Sequence, residues 1–479
     1  MTKLFNYVIQ NGVFPRDWKV AKVIPLHKKG PKNLLDNYRP ISILPAISKA
    51  FESILYEQLH GYLSNASILS KCQFGFRRYH STTTALLDST NQWYSNMDKG
   101  LLNIVAFLDL KKAFDTIDHE ILIEKLNMYG VKRHSLGLLE SYITNRSQKC
   151  FINGTLSHSK PIKCGIPQGS ILGLLFFLVY INDLPNCLKY CTPRMFADDT
   201  TLTVCGKSTH KISSALNHDL NNVNDWLMAN KLCLNLSKTE YMLIGSRHSI
   251  NNLVDNPCIS VDGKLLNRVI VTESLGIHID QFLSWDFYIE KLTKKISSGI
   301  GAISRLKPFV CRNTLISVYN ALVQTYFDYC CEVWDPIGSV LSDKLQTLQN
   351  RAARIIMGYP NEHGCSEAAL TALGWKTLKE RRFESKARLM YKIIHGFAPT
   401  ALTEIFSSAS VVRSHDYNLR NSDMKLNLPF PKTEYLKKSI SFNGVKLWND
   451  LPIEVRNAES LGIFNSLLCA TSLSRSTSL

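Results

Sequence analysis

The sequence predicts an α+β fold, an antiparallel sheet with helices on one face, followed from about residue 286 by a mainly helical region. Three features predict it. NIVAFLDL (103–110) is an apolar run of strand length, and DHEILIEKLNMYG (118–130) has helical apolar spacing with Asp118 as N-cap and Gly130 as stop, so a strand feeds a helix. RMFADDTTLTV (194–204) sets two carboxylates between a short apolar run and a β-branched run, as a tight antiparallel hairpin would. Beyond 286 the apolar residues recur at helical spacing instead.

Taken in order, residues 1–60 hold nine Lys/Arg against four Asp/Glu, and Pro15, Pro25, Pro31, Pro40 and Pro45 divide short apolar runs. Extended strands with a solvated basic face are expected there. ILGLLFFLVYI (171–181) follows the turn CGIPQGS; at eleven residues it is too short to span a bilayer and reads as a buried helix. The 194–204 hairpin comes next, then an amphipathic helix around 208–229 and the strand TEYMLIG. YIEKLTKKISSGIGAISRLKPFVCR (288–312) carries six Lys/Arg and no acidic residue after Glu290. LQNRAARIIMGY and WKTLKERRFESKARLMYKIIH read as further basic amphipathic helices, and the Ser/Thr-rich last fourteen residues, SLLCATSLSRSTSL, as disordered.

Composition narrows the function. With 479 residues, 45% apolar and 10% aromatic, the chain can fill two or three cores. Its 56 Lys+Arg against 39 Asp+Glu give +17, which favours a polyanionic partner, nucleic acid or an anionic membrane face. The 13 cysteines form no C-x-x-C pair, and Cys187 and Cys191 lack a second pair or a nearby histidine, so a structural zinc site is not expected. MTKLFNYVIQNGVFPRDW has no signal-peptide core, so free thiols in a reducing, intracellular compartment are expected.

Asp198 and Asp199 at a hairpin tip concentrate negative charge that a bound cation would relieve, although an Asx turn alone could account for them. Asp109 changes the balance, because it ends an apolar strand, where sheets of this kind place their chemistry. Mg²⁺ takes carboxylate oxygens together with substrate phosphates, and two such ions serve phosphoryl transfer.

FLDLKKAFDTIDHEIL, GIPQGSILG, FADDT, LNLSKTE and SLGI, in that order, resemble the palm blocks of reverse transcriptases encoded by non-LTR retrotransposons, the jockey-like group in particular. DWKVAKVIPLHKKG and NYRPISILPAISKAFE resemble their fingers, QFGFRRYHSTTTALL the next block, and RAARIIMGY and FNGVKLWNDLP their trailing part. The resemblance implies a right-hand polymerase: interwoven fingers and palm over 1–285, a helical thumb over 286–360, a helical or mixed C-terminal region over 361–465 and a disordered tail over 466–479. It implies RNA-directed DNA synthesis from dNTPs on an RNA template and a DNA primer, with two Mg²⁺ ions, or Mn²⁺ in their place. No membrane partner is implied. Because the chain starts in or just before the fingers, endonuclease activity is expected to come in trans.

By the same resemblance Asp109, Asp198 and Asp199 form the acidic metal site, assisted by the Leu110 carbonyl, and Phe114 is the steric gate against a ribose 2′-hydroxyl. Lys28 and Arg39 hold the triphosphate, or else belong to a solvated basic face. Gln168 and Gly169 lie against the incoming nucleotide, or form a plain Pro-Gly turn; Lys238 stands near the leaving pyrophosphate, or is a surface lysine. Phe74, Gly75 and Arg77 contact template, with a core role open for Phe74. Lys291, Lys294, Lys295 and Arg305 lie on a thumb helix tracking the duplex backbone, with an amphipathic membrane-surface helix as the alternative. Two positions depart from the family: Leu174 replaces a usual Pro, and Ser274 a usual aromatic. An RNA-dependent RNA polymerase, disfavoured by Phe114, and an inactive nucleic-acid-binding relic stay as alternatives.

Overall fold

The computed structural model describes residues 1–28, 30–253, 255–406 and 425–476. In chain order, α1 (Thr2–Asn11), β1 (Val20–His27), β2 (Tyr38–Ile43), α2 (Ala46–Asn65) and α3 (Thr82–Asp98) lead to β3 (Leu102–Leu108). Then come α4 (His119–Met128), α5 (Arg133–Ile143), β4 (Arg146–Ile152), β5 (Thr155–Leu156), β6 (Lys160–Ile162) and α6 (Ile171–Ile181). The hairpin β7 (Thr192–Phe196) and β8 (Asp199–Gly206), α7 (Thr209–Ala229) and β9 (Glu240–Ile244) follow.

One sheet has the order β2-β1-β4-β5, with β6 also on β4; its β1–β4 pair is parallel. The expected strands of residues 1–60 are therefore β1 and β2, but two helices, α1 and α2, occupy much of that segment. The signal for α2 was present: Phe51, Leu59 and Leu63 recur at helical spacing and are buried. The second sheet, with Asn267–Arg268 at its edge, runs in the order 267–268, β9, β3, β8, β7, and β3 is antiparallel to both neighbours.

Helices on one face were expected, yet both faces of this second sheet are covered. Every residue of β3 is buried. Ile104, Ala106 and Leu108 join a core with α2, α4, α6 and α7, whereas Val105 and Phe107 join a second core with α3 and the later helices. Strands covered on both faces read as continuous apolar runs, which is why NIVAFLDL lacks alternation.

The second core extends from Leu86 through the helix Asp286–Leu306, with its buried stripe Ile289, Leu292, Ile296, Ile300 and Ile303, to Leu468. Asp98 ties the far C-terminal region to α3, accepting from the backbone N–H of Lys432 (3.0 Å) and of Thr433 (2.7 Å). The tail expected to be disordered from 466 continues as helix to Ser476, because Phe464 and Leu468 are buried in this core and anchor the segment; 477–479 lie outside the described residues. Among the described residues no disulfide joins the cysteines. Among the described residues no helix is long and apolar enough to cross a membrane.

Candidate active site

The β3–β8 register runs from Leu102↔Gly206 to Leu108↔Thr200, so the next residues, Asp109 and Asp199, stand at adjoining strand ends. In the β7–β8 hairpin Phe196 pairs with Asp199 and the turn is Ala197–Asp198. Ala197 has φ 56°, the left-handed region that a side chain with a Cβ enters only under constraint.

Asp109 is held from three sides. Its backbone N–H donates to Thr239 Oγ1 (3.3 Å), its carbonyl accepts from the Asn235 N–H (2.7 Å), and Asn235 Nδ2 donates to Oδ2 of its carboxylate (2.7 Å). Lys238 Nζ lies 3.9 Å from the same oxygen. Leu110 bridges Leu234, but the hydrogen bonds there run from Asn235 N–H to Asp109 O and from Lys111 N–H to Cys233 O, which leaves the Leu110 carbonyl outside the bridge.

Electrostatics show which charges meet. Burial, then Asp198 and Asp109, pushes Asp199 up to about 6, although the residue's own surface stays open to water. Asp198 is also raised, by burial and by Asp109, against the pull of Arg39 and Lys28. Lys28 is lowered by partial burial, Arg39 and Lys238, against Asp198 and Asp109. Three carboxylates from two chain segments and three cations from two others thus share one field. Carboxylates that resist ionising together are suited to a divalent cation. Among the described residues no group of three or more His, Cys, Asp or Glu is placed to hold a metal ion by itself. A cation at Asp109 and Asp198 would complete its shell with water or substrate oxygens, the habit of Mg²⁺.

Phe114 stacks on buried Phe177 of α6 at 4.4 Å and 21°. Its loop is fastened to the segment before α6: Ile166 N–H donates to Phe114 O (2.9 Å) and Gly165 N–H to Ile117 O (2.7 Å). Gln168 Nε2 donates to Asp115 Oδ1 (2.9 Å), and Ser42 N–H donates to Gln168 O (2.8 Å), linking β2 to the same place. Gly169 has φ +122°, and a Cβ there would stand 2.6 Å from Ser42 O, so this is more than a loose Pro-Gly turn. Leu174 continues α6, whose first turn is capped by Ser170, accepting from Gly173 N–H (2.9 Å), and by buried Glu52, accepting from Ile171 N–H (2.8 Å). Ser274 ends the first strand of the Val271–Ser274/Ile277–Asp280 hairpin.

The block at 74–77 lies against the β7–β8 hairpin. Phe74 is 1% exposed and meets His80 edge-on (5.7 Å), Gly75 is buried against the hairpin, and Arg77 donates from Nη1 to the carbonyls of Ser70 (2.6 Å) and Gln73 (3.2 Å). For Phe74 the core role is the one the fold supplies. Lys291, Lys294, Lys295 and Arg305 are exposed on the helix Asp286–Leu306, opposite its buried stripe; Lys291 lies over Phe287, Lys295 over Tyr326, and Lys294 pairs with Glu290 (3.0 Å). Sequence reasoning missed Asp115, Asn235, Thr239 and Gln73. All four sit inside quoted motifs, but nothing in their spacing says which group they orient.

Residues 26–256 match the family model described as reverse transcriptase (RNA-dependent DNA polymerase). Among curated proteins, the chain is 28% identical over 370 residues to the probable RNA-directed DNA polymerase from transposon BS of Drosophila melanogaster, covering 74% of this chain and 40% of that protein. It is 27% identical, with the same coverage, to the RNA-directed DNA polymerase from mobile element jockey of that organism, and 25% identical to that of its X-element, at 75% and 40%. The chain thus spans about two fifths of these relatives. Among solved structures, telomerase from Candida tropicalis, in complex with a telomeric RNA fragment, aligns at 11% identity and a TM-score of 0.41, over 80% of this chain and 65% of that one. With its strand-end Asp109 beside the Asp198–Asp199 hairpin, residues 26–256 carry a reverse transcriptase domain, and the chain is similar to RNA-directed DNA polymerases of mobile elements.

Proposed function

We propose that the chain synthesises DNA on an RNA template, extending the 3′-hydroxyl of a DNA primer with dNTPs. The observation that carries this reading is the meeting of Asp109, Asp198 and Asp199 with Lys28, Arg39 and Lys238 at one end of the buried sheet. In this assignment 1–285 supply fingers and palm, 286–360 the thumb and 361–465 a C-terminal region. Asp109, Asp198 and the Leu110 carbonyl would hold two Mg²⁺ ions, with Asp199 completing the acidic site. When bound, the ions supply charge stabilisation of the attacking and leaving oxygens.

The chain's own residues do the rest. Lys28 and Arg39, reaching in from β1 and β2, bind the triphosphate as a point charge and a fork. Lys238, beside Asp109, neutralises charge on the departing pyrophosphate. Phe114, braced flat on Phe177, occupies the space a ribose 2′-hydroxyl would need, which favours a DNA product over the RNA-polymerase alternative. Gln168 and Gly169 border the same space, and the exposed lysines and Arg305 of 286–306 track duplex phosphates without reading sequence.

The test is primer extension by the purified chain on an RNA template with a DNA primer, Mg²⁺ and dNTPs, beside Asp198→Asn. Extension lost in the variant supports the reading. A folded chain that binds primer-template but adds no nucleotide would overturn it in favour of a binding relic.

A further inference from the structure

The segment carrying Gln73 is joined to the β7–β8 hairpin by a single isolated bridge. Gln73 and Met195 form a parallel bridge, with Met195 N–H donating to Cys72 O (2.9 Å) and Phe74 N–H to Met195 O (2.7 Å). Gln73 itself is 2% exposed. Its Oε1 accepts two backbone N–H groups, from Gly75 (2.7 Å) and from Ala197 (3.0 Å). Ala197 is the left-handed turn residue directly before Asp198. The approach leaves no slack, since a Cβ on Gly75 would stand 2.5 Å from the Ala197 nitrogen.

Gln73 Nε2 has no partner among the described residues, an arrangement that ordinary packing selects against. An amide oxygen can hold two N–H groups beside Asp198 and Asp199 without adding a fourth negative charge, and a buried apolar residue could hold neither. We infer that Gln73 is a positioning residue, whose amide oxygen fixes Ala197 and with it the place of the Asp198 and Asp199 carboxylates toward a divalent cation. This rests on the polymerase reading for the role of the carboxylates, while the clamp itself rests on geometry alone.

The experiment compares the full chain with Gln73→Met, which keeps the bulk and loses the acceptor, and Gln73→Glu, which keeps an oxygen for both N–H groups. Mn²⁺ binding is followed by electron paramagnetic resonance without nucleotide, and hydrogen exchange over 193–200 by mass spectrometry. Losing one such bond corresponds to on the order of tenfold. Gln73→Met is therefore expected to weaken Mn²⁺ binding and speed hairpin exchange by about that factor, and Gln73→Glu, whose added charge alters metal binding for its own reasons, to keep hairpin exchange within about threefold of the parent. A role in packing alone orders them oppositely, with Met preserved and Glu impaired, and that order overturns the inference. Should Gln73→Met fail to fold, Gly75→Ala presses on the Ala197 nitrogen from the other side; parental binding and exchange in that variant would equally overturn it. If the parent's Mn²⁺ binding is indifferent to Asp198→Asn, the metal reading fails, and the exchange data alone decide the clamp.

Discussion

Replacing Asp219 by Ala should loosen the approach to the catalytic hairpin, and the structure sets the size. Asp219, on α7, is 0% exposed and accepts from three consecutive backbone N–H groups, of Lys189 (3.0 Å), Tyr190 (2.8 Å) and Cys191 (2.7 Å), in the loop that enters β7. A hydrogen bond to a charged group contributes about 1.5–3 kcal/mol, so three at the lower end amount to about 4–5 kcal/mol. Unfolding entropy of about 2.1 cal/mol/K per residue gives roughly 1 kcal/mol/K for 479 residues, hence a Tm lower by about 4–5 °C. Burial opposes ionisation of Asp219, yet the three N–H groups hold its carboxyl below the usual carboxylate range. Its stabilisation is therefore complete above the unfolded pKa of about 3.9 and disappears as pH falls through the lower folded value. Scanning calorimetry of parent and Asp219→Ala at pH 7, and again from pH 5 to 2.5, checks both parts. A Tm within 1 °C of the parent at pH 7, or a gap that does not close in acid, would refute the reasoning.

Three further outcomes are expected. Phe114→Val removes the ring braced on Phe177 and should raise rNTP incorporation relative to dNTP by about tenfold or more, read by primer extension with each nucleotide set. Asp115→Ala takes the acceptor from Gln168 Nε2 and should raise the KM for dNTP about tenfold, with kcat changed far less, in steady-state kinetics. Asp335→Asn leaves Arg382 and Lys386, which it pairs with inside the C-terminal core, short of their counter-charge; a loss of about 3–5 kcal/mol is expected in urea unfolding.

The sequence by itself determined which residues carry the proposed chemistry of this protein. A strand that must be buried on both faces shows as NIVAFLDL, so its end, Asp109, could be located without coordinates. Asp198 and Asp199 could be placed at a turn for the same local reason, since apolar and β-branched runs around two acids make a hairpin. Lys28, Arg39 and Phe114 came from motif order; Lys28 and Arg39 share a field with Asp198, and Phe114 stacks on Phe177.

What only the tertiary structure decided is which residues hold that chemistry still. Gln73 and Ala197 are 124 positions apart, Asn235 and Asp109 126, and Lys432 and Asp98 334, so no local pattern pairs them. It also buried Phe74 and closed the second face of the sheet with helices from the far C-terminal region. Periodicity reports what one segment needs to bury; which distant segment buries it is settled only when the whole chain competes for the same apolar surface.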